Sequence, residues 1–224
     1  MLDTSANNKR IAKNTLMLYF RMVLLLVISL YTSRVILREL GVDDYGVYNV
    51  VGGIIVILSF LNQAMASGTQ RFLNVEMGKN NQKAVNKVFA TSQQIHFGVS
   101  FCMFIIAETV GLWFLNNYMN IPEGRLGAAN WVYQFSIISA IFGVFTVPYN
   151  ATIISHEKMS AFAYISIVEA VLKLLVAFAI IWAPYDKLII YAALIMLVSM
   201  INCVVYVNSV SYTHLRAHET KANL

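Results

Sequence analysis

Long apolar runs dominate this sequence and limit the folds that it can adopt. Six of them contain the ~20 residues that a helix needs to cross a hydrocarbon core of about 30 Å. Backbone groups in lipid must bond to one another, and the runs lack the period-two alternation of barrel strands. We therefore predict an all-α, polytopic membrane protein built as a six-transmembrane-helix bundle. The predicted spans lie near 15–37, 46–74, 88–115, 128–154, 161–183 and 188–208.

The composition supports a membrane environment and argues against a nucleic-acid partner. Charged residues make up 12% of the 224 residues, and the mean hydropathy is +0.65, whereas a soluble domain carries about 25% charged residues. The net charge of +5 comes from bases at the ends of apolar segments, without the basic patch that binds nucleic acid. Cys102 and Cys203 lie inside apolar runs without metal-ligand spacing, so we predict no metal site and no cofactor.

The lysines and arginines predict the topology. One side of the bundle carries seven bases (Lys9, Arg10, Lys13, Lys79, Lys83, Lys87 and Lys158) and the other carries four (Arg34, Arg38, Arg125 and Lys187). The positive-inside rule then places the N-terminus in the cytoplasm. The first span lacks an A-x-A cleavage site and is too long for a signal peptide, so we expect it to be retained.

An ionisable residue near the middle of a span costs about 2.5–3.5 kcal/mol to insert into the membrane. Glu169 and Lys173, four residues apart in the fifth span, have the order that favours a helical ion pair. They either neutralise each other or face a polar cavity and exchange partners with a substrate or proton. Glu108 stands alone in the third span, so we expect it to be protonated or paired with another helix. It is a candidate for H⁺ or Na⁺ coupling.

A polar stripe follows one face of the second predicted span. At about 100° per residue, a face about 80° wide holds Asn49, Gly52, Ser59, Gln63, Ser67, Gln70 and Asn74, with Arg71 at its edge. Such a stripe either lines a water-filled cavity or joins helices through small residues and amides. The two glutamines and Arg71 favour the cavity.

The first span carries Arg21 near one end and Arg34 and Arg38 near the other. Arginines near span ends commonly extend to the interface, which we expect for Arg38. Arg21 and Arg34 are better placed to bind an anion, because a guanidinium binds phosphate through two hydrogen bonds.

The joint after the first span reads "RELGVDDYGVYNVVGG" (38–53). Gly41 permits the first helix to end, and Asp43 and Asp44 can cap the next one. The two tyrosines that follow suit the aromatic belt of a membrane interface. We predict a tight helical hairpin here.

The same joint carries a resemblance to a known family. "SRVILRELGVDDYGVYNVVGG", followed by "ASGTQRFL" at 66–73, resembles the first two spans of polysaccharide-export flippases of the Wzx type, in the MOP (MATE-like) superfamily. "VPYNATIISHEKMSAFAYISIVEAVLKL" extends the resemblance across the fourth and fifth spans, so that it covers about 9–208. Family members have two six-helix lobes, which implies that 1–208 corresponds to the N-terminal lobe and that transport needs the missing C-terminal lobe.

The resemblance implies a transport function. Such proteins flip undecaprenyl-diphosphate-linked oligosaccharide from the cytoplasmic to the outer leaflet of the bacterial inner membrane by alternating access. The residues then expected in a cationic, hydrated substrate cavity are Arg21, Arg34, Gln63, Gln70 and Arg71, and those expected in ion coupling are Glu108, Glu169 and Lys173.

Two other functions stay open at this point. A cation-coupled multidrug antiporter of the same superfamily would need acids in the cavity, whereas the stripe holds amides with arginines at its margins. A membrane enzyme of polysaccharide assembly would need a large extramembrane loop or a His/Asp pair, so we predict no enzyme activity and no catalytic residues. The stretch 209–224, "SVSYTHLRAHETKANL", resembles translated adapter or vector read-through and is predicted to be a non-native tail.

Overall fold

The computed structural model is all-helical in the part of the chain that it describes, residues 4–59, 61–122 and 124–222. Side-chain surroundings are described for residues 8, 11–56, 62–122 and 124–210. Seven α-helices lie in these ranges: α1 (Thr4–Ser59), α2 (Leu61–Gly78), α3 (Gln82–Ile106), α4 (Leu112–Asn117), α5 (Leu126–Ser155), α6 (Met159–Ala179) and α7 (Lys187–Ala222). A π-helical turn, Ala107–Gly111, joins α3 to α4, and a 3₁₀ turn, Ile180–Trp182, follows α6.

Helix α1 is broken at Gly41. This glycine has φ 77° and ψ 174°, a conformation that side chains disfavour and glycine adopts readily. The helix therefore consists of two halves that meet at the joint, and the prediction that Gly41 ends the first of them is confirmed.

Five segments of the described chain are long and apolar enough to span a membrane: Ile11–Val56, Gln82–Asn117, Leu126–Ser155, Met159–Trp182 and Lys187–Val210. The last four coincide with the predicted third to sixth spans. The first of the five segments, Ile11–Val56, runs through the joint and includes part of the second predicted span. The remainder of that span falls on α2, which carries Arg71 and Glu76; residue 60, between α1 and α2, lies outside the described residues.

Buried small and branched side chains hold the bundle together. The core lies among α1, α5, α6 and α7, where Val51, Val132, Tyr133 and Leu188 are fully buried. Alanines at the helix contacts, Ala128, Ala129, Ala177 and Ala192, allow the backbones to approach closely. Because lipid chains are as apolar as leucine, such packing stabilises helix contacts in a membrane more than transfer from solvent does. Large apolar side chains such as Leu26, Phe101 and Trp131 cover the exterior.

A buried tyrosine forms a hydrogen bond to the π-helical turn. Tyr133 on α5 is fully buried, and its hydroxyl donates a hydrogen bond of 2.8 Å to the carbonyl oxygen of Ala107. A π-turn disturbs the regular hydrogen-bond ladder of a helix, and Tyr133 supplies a donor at its first residue. Gly111, at the other end of the turn, leaves room for the tyrosine hydroxyl.

Candidate functional site

Three connections meet at one end of the bundle around Arg125. Arg125 precedes α5, Asp44 follows the break in α1, and Asp186 precedes α7. Arg125 Nε donates to Asp44 Oδ1 at 2.7 Å, and Arg125 Nη2 donates to Asp44 Oδ2. Arg125 Nη1 donates to Asp186 Oδ2 at 2.6 Å. We call these three side chains the Arg125 cluster. They hold together the starts of α5, of α7 and of the part of α1 that follows Gly41.

The same end of the bundle contains a second ion pair between distant parts of the chain. Lys187 Nζ donates to Glu39 Oε2 at 3.1 Å, and Arg38 Nε donates to Glu39 Oε1 at 3.0 Å. Glu39 and Asp44 of the joint therefore bind bases from other segments, and the capping role predicted for Asp43 and Asp44 stays a prediction.

Asp186 has two roles in this arrangement. The hydrogen bonds from Arg125 hold the pKa of the Asp186 carboxyl below its ordinary value. Asp186 Oδ1 also accepts hydrogen bonds from the backbone N–H groups of Leu188, at 3.0 Å, and Ile189, at 3.4 Å. It thus caps α7 while it binds the arginine.

A cavity of about 340 Å³ with both apolar and polar lining residues lies between α1, α6 and α7. We call it the Lys173 cavity. Its polar lining consists of Arg21, Ser29, Thr32, Ser33, Ser166, Glu169, Lys173 and Tyr191. The lining on α1 runs from Arg21 to Ile36, which is about 22 Å at 1.5 Å per residue. This length is roughly three quarters of the about 30 Å thickness of a hydrocarbon core.

An acid and a base form the centre of this cavity. Lys173 Nζ donates to Glu169 Oε1 at 2.6 Å, and Asn202 Nδ2 of α7 donates to Glu169 Oε2 at 3.0 Å. The ion pair expected from the sequence is confirmed, and both residues line a cavity, whereas exchange of partners with a substrate or proton stays a prediction.

Arg21 lies at one end of the Lys173 cavity and adds a second base. Its guanidinium carbon is 4.3 Å from the ring centroid of Phe162 on α6, a distance at which the ring attracts the cation. Its Nε is buried and has no hydrogen-bond partner in the described part of the chain. With two bases and one acid, the cavity carries one net positive charge and an arginine donor that is free to bind an anion.

Glu108 lies away from this cavity, in the π-helical turn. Gln134 Nε2 on α5 donates to Glu108 Oε2 at 3.2 Å, whereas Glu108 Oε1 is buried and lacks a partner among the described residues. The contact is with another helix, which was one of the two expectations from the sequence. Its role in ion coupling stays a prediction.

The other predicted cavity residues lie outside the Lys173 cavity. Arg34, Gln63 and Arg71 are exposed and Gln70 is half-buried; none of the four lines that cavity. Ser67 Oγ on the same helix as Arg71 donates to the backbone oxygen of Gln63. Their part in substrate binding stays a prediction.

The polar stripe lies on the end of α1 and on α2. Its first members, Asn49 and Gly52, line a separate cavity of about 480 Å³ together with Ser136 and Ser139 of α5. Its later members lie on α2, and the side chain of Ser59 lies outside the described residues. At Asn49 and Gly52 the cavity interpretation of the stripe therefore matches the structure.

Sequence reasoning missed the partners that come from distant helices. Asn202, which binds Glu169, lies in an apolar run and had no pattern to mark it. The Arg125 cluster could have been predicted from the sequence. Arg125, Asp44 and Asp186 carry opposite charges and lie in connections that the predicted topology places on the same side of the membrane. Within the described ranges, no three His, Cys, Asp or Glu side chains are grouped in a way that could hold a metal ion.

Comparison with known proteins gave no match to this chain among protein-family models, curated proteins or solved structures.

Proposed function

We propose that this chain is one lobe of a flippase that moves lipid-linked oligosaccharide across the membrane. The observation that carries the proposal is the Lys173 cavity, a polar and net cationic space between helices that are otherwise apolar. A diphosphate head group is anionic and hydrated, and its passage through hydrocarbon is costly. A cationic cavity lowers that barrier while the prenyl chain stays in lipid.

The length of the cavity supports transfer across the bilayer rather than binding at one surface. Its lining on α1 extends for about 22 Å and includes hydroxyl groups at Ser29, Thr32 and Ser33. These groups can exchange hydrogen bonds with sugar hydroxyls as the head group moves. Arg21 at one end and Lys173 further along supply the charges that bind the diphosphate.

The chain in this proposal crosses the membrane six times. In this proposal the break at Gly41 separates the first crossing from the second, which comprises residues 42–56 and the start of α2, and the charged end of α2 projects beyond the hydrocarbon. Arg34, Gln63 and Arg71 lie on exposed faces, where a second lobe that packs on this one would enclose them. The proposed location is the bacterial inner membrane with a cytoplasmic N-terminus, and Glu108 and Glu169 are the proposed sites for coupling to H⁺ or Na⁺.

Deletion of the gene from its source organism, followed by restoration, tests this function. We expect deletion to remove surface polysaccharide and to raise the amount of lipid-linked precursor in the cytoplasmic leaflet. The intact gene should restore export, and a gene with Lys173→Gln should restore much less. The control is Lys158→Gln, which should restore export fully because Lys158 is an exposed base on the turn before α6. Unchanged surface polysaccharide after deletion would contradict the proposal.

A further inference from the structure

The three tryptophans of this chain lie at one end of the bundle. Trp113 is one turn before the end of α4, Trp131 lies in the second turn of α5, and Trp182 ends the 3₁₀ turn after α6. The connections that leave α4 and α6 at this end lead to Arg125 and Asp186, which form an ion pair. All of the tryptophan in the sequence therefore lies at the end that holds the Arg125 cluster.

Trp113 and Trp131 lie at nearly the same depth in the bundle. Asn116 Nδ2 donates to Asn130 Oδ1 at 3.2 Å, and Asn130 Nδ2 donates to Asn116 Oδ1 at 3.0 Å. These two hydrogen bonds align the end of α4 with the start of α5. Trp113 is three residues from Asn116, and Trp131 is one residue from Asn130. At 1.5 Å per residue, the two tryptophans are level to within about 3 Å.

The tryptophans and two tyrosines near them are exposed. Trp113 is 54%, Trp131 57% and Trp182 88% exposed. Tyr118 and Tyr185 are 65% and 81% exposed, and the ring centroids of Trp113 and Tyr118 are 4.9 Å apart. We call these five residues the tryptophan belt. Indole and phenol rings combine an apolar body with one polar group, so they favour the level at which hydrocarbon meets lipid head groups.

Two exposed tyrosines lie near the opposite end of the bundle. Tyr19 on α1 is 61% exposed, and Tyr164 on α6 is 69% exposed. The guanidinium carbon of Arg21 is 4.3 Å from the ring centroid of Phe162. Because each tyrosine is two residues from one of these contacting side chains, the two tyrosines lie at similar depths. Lys158, an exposed base, lies beyond Tyr164 at the start of α6.

The distance between the two aromatic levels matches the thickness of a bilayer. Trp182 follows Tyr164 by 18 residues, or about 27 Å of helix, and a hydrocarbon core is about 30 Å thick. The exposed residues between them on this helix are all apolar: Val171, Leu175, Phe178 and Ala179. Lys173 is nine residues from each of the two aromatic residues. It therefore lies midway between the two levels.

We infer that the tryptophan belt lies in the head-group interface of one leaflet, and that Tyr19 and Tyr164 lie in the interface of the other. With the usual helix tilt of about 20°, the protein fits a bilayer whose hydrocarbon is about 25 Å thick. The Arg125 cluster lies on the aqueous side of the belt, where its charges stay hydrated, and Lys173 lies near the bilayer centre. The inference does not depend on the proposed transport function.

Intrinsic fluorescence of the full chain in lipid vesicles tests this inference, because the belt contains every tryptophan of the sequence. Phosphatidylcholine with bromine atoms high on the acyl chain, near the head group, quenches shallow tryptophans, whereas bromine near the chain end quenches deep ones. We expect the high bromine atoms to cause the larger loss of fluorescence. Iodide in the buffer should cause a smaller loss than it causes for free tryptophan.

Variants with one tryptophan on α6 or its 3₁₀ turn test both interfaces. Trp113→Phe together with Trp131→Phe leaves Trp182 alone, which should keep the shallow pattern. Addition of Trp182→Phe removes the last tryptophan, so that Tyr164→Trp or Leu175→Trp can then be introduced alone. Tyr164→Trp should again be shallow. Leu175→Trp is the matched control, because this exposed position lies between the two levels, and bromine near the chain end should quench it most.

Four results would overturn the inference. Stronger quenching of the native tryptophans by bromine near the chain end would place the belt inside the hydrocarbon. Quenching by iodide alone would place the belt in water. Absence of quenching by either agent would show that protein, such as a second copy of this chain, covers it. Equal depths for Tyr164→Trp and Leu175→Trp would remove the second interface.

Discussion

Arg125 and Asp186 lie 61 residues apart in the chain and form a two-point ion pair, with Nη1 to Oδ2 at 2.6 Å and Nη2 to Oδ1 at 3.1 Å. The same guanidinium also binds Asp44, which is 81 residues away. Pairs of this geometry are stronger than single contacts between charged groups. One arginine thus connects the start of α5, the start of α7 and the joint in α1.

Replacement of Arg125 should loosen that end of the bundle. Arg125→Gln removes the charge while Asp44 and Asp186 stay close together, and we expect it to lower the free energy of unfolding by about 1–3 kcal/mol. Thermal unfolding in detergent micelles measures the change. Arg38→Gln is the matched control, because the Arg38 side chain is 71% exposed and its ion pair is with Glu39, its neighbour in sequence. Equal effects of the two substitutions would contradict a special role for the Arg125 cluster.

The Arg125 cluster also predicts a pH dependence. Arg125 holds the pKa of Asp186 below its ordinary value of 3.8, so the unfolded chain takes up the proton first as the pH falls. The ionised carboxylate therefore stabilises the fold above about pH 4, and that contribution is lost as the pH falls through the lowered pKa.

Substitution of Asp186 tests this sign. Asp186→Asn keeps an oxygen for capping α7 but cannot titrate, so its Tm should fall less than the wild-type Tm between pH 7 and about pH 3. Asp43→Asn, at an exposed neighbour of Asp44, should keep the wild-type dependence. A wild-type slope in Asp186→Asn would show that the carboxyl is not linked to stability.

The π-helical turn predicts a coupled pair of substitutions. A methyl group at Gly111 would overlap the hydroxyl of Tyr133, so Gly111→Ala should destabilise the protein by about 1–3 kcal/mol. Tyr133→Phe removes that hydroxyl and the hydrogen bond to Ala107. The double substitution should then cost less than the two single ones together. Gly127→Ala, with no atom within 4 Å of the added methyl, is the control, and simple additivity of the pair would contradict the contact.

Local patterns in the sequence predicted part of this structure. The spacing of Glu169 and Lys173 predicted their ion pair, and Gly41 predicted the break after the first helix. Both features depend only on residues within about one helical turn of each other. Apolar length gave the positions of the last four long helices. The second predicted span, 46–74, lies on the end of α1 and on α2, and it stays a prediction because residue 60 between them lies outside the described residues.

Contacts between distant segments could not be predicted in the same way. Asn202 donates to Glu169 across 33 residues, and its sequence neighbours are apolar, so only the packing of α6 against α7 shows the contact. Nothing in the sequence around His96 predicts that it is buried beside Ser92 and Thr69. The alignment of α2 and α3, which brings these side chains together, is a tertiary property.

The measurement that most directly tests the Lys173 cavity is the affinity of the purified chain for undecaprenyl-diphosphate-linked oligosaccharide, in wild type, Lys173→Gln and Glu169→Gln. Both substitutions break the same ion pair, but they change the charge of the cavity in opposite directions. Lys173→Gln should weaken binding about tenfold and Glu169→Gln should strengthen it, or leave it at least as tight, because one removes a positive charge and the other a negative one. A similar loss of affinity in both variants would contradict an anion-binding cavity and would assign the pair a purely structural role.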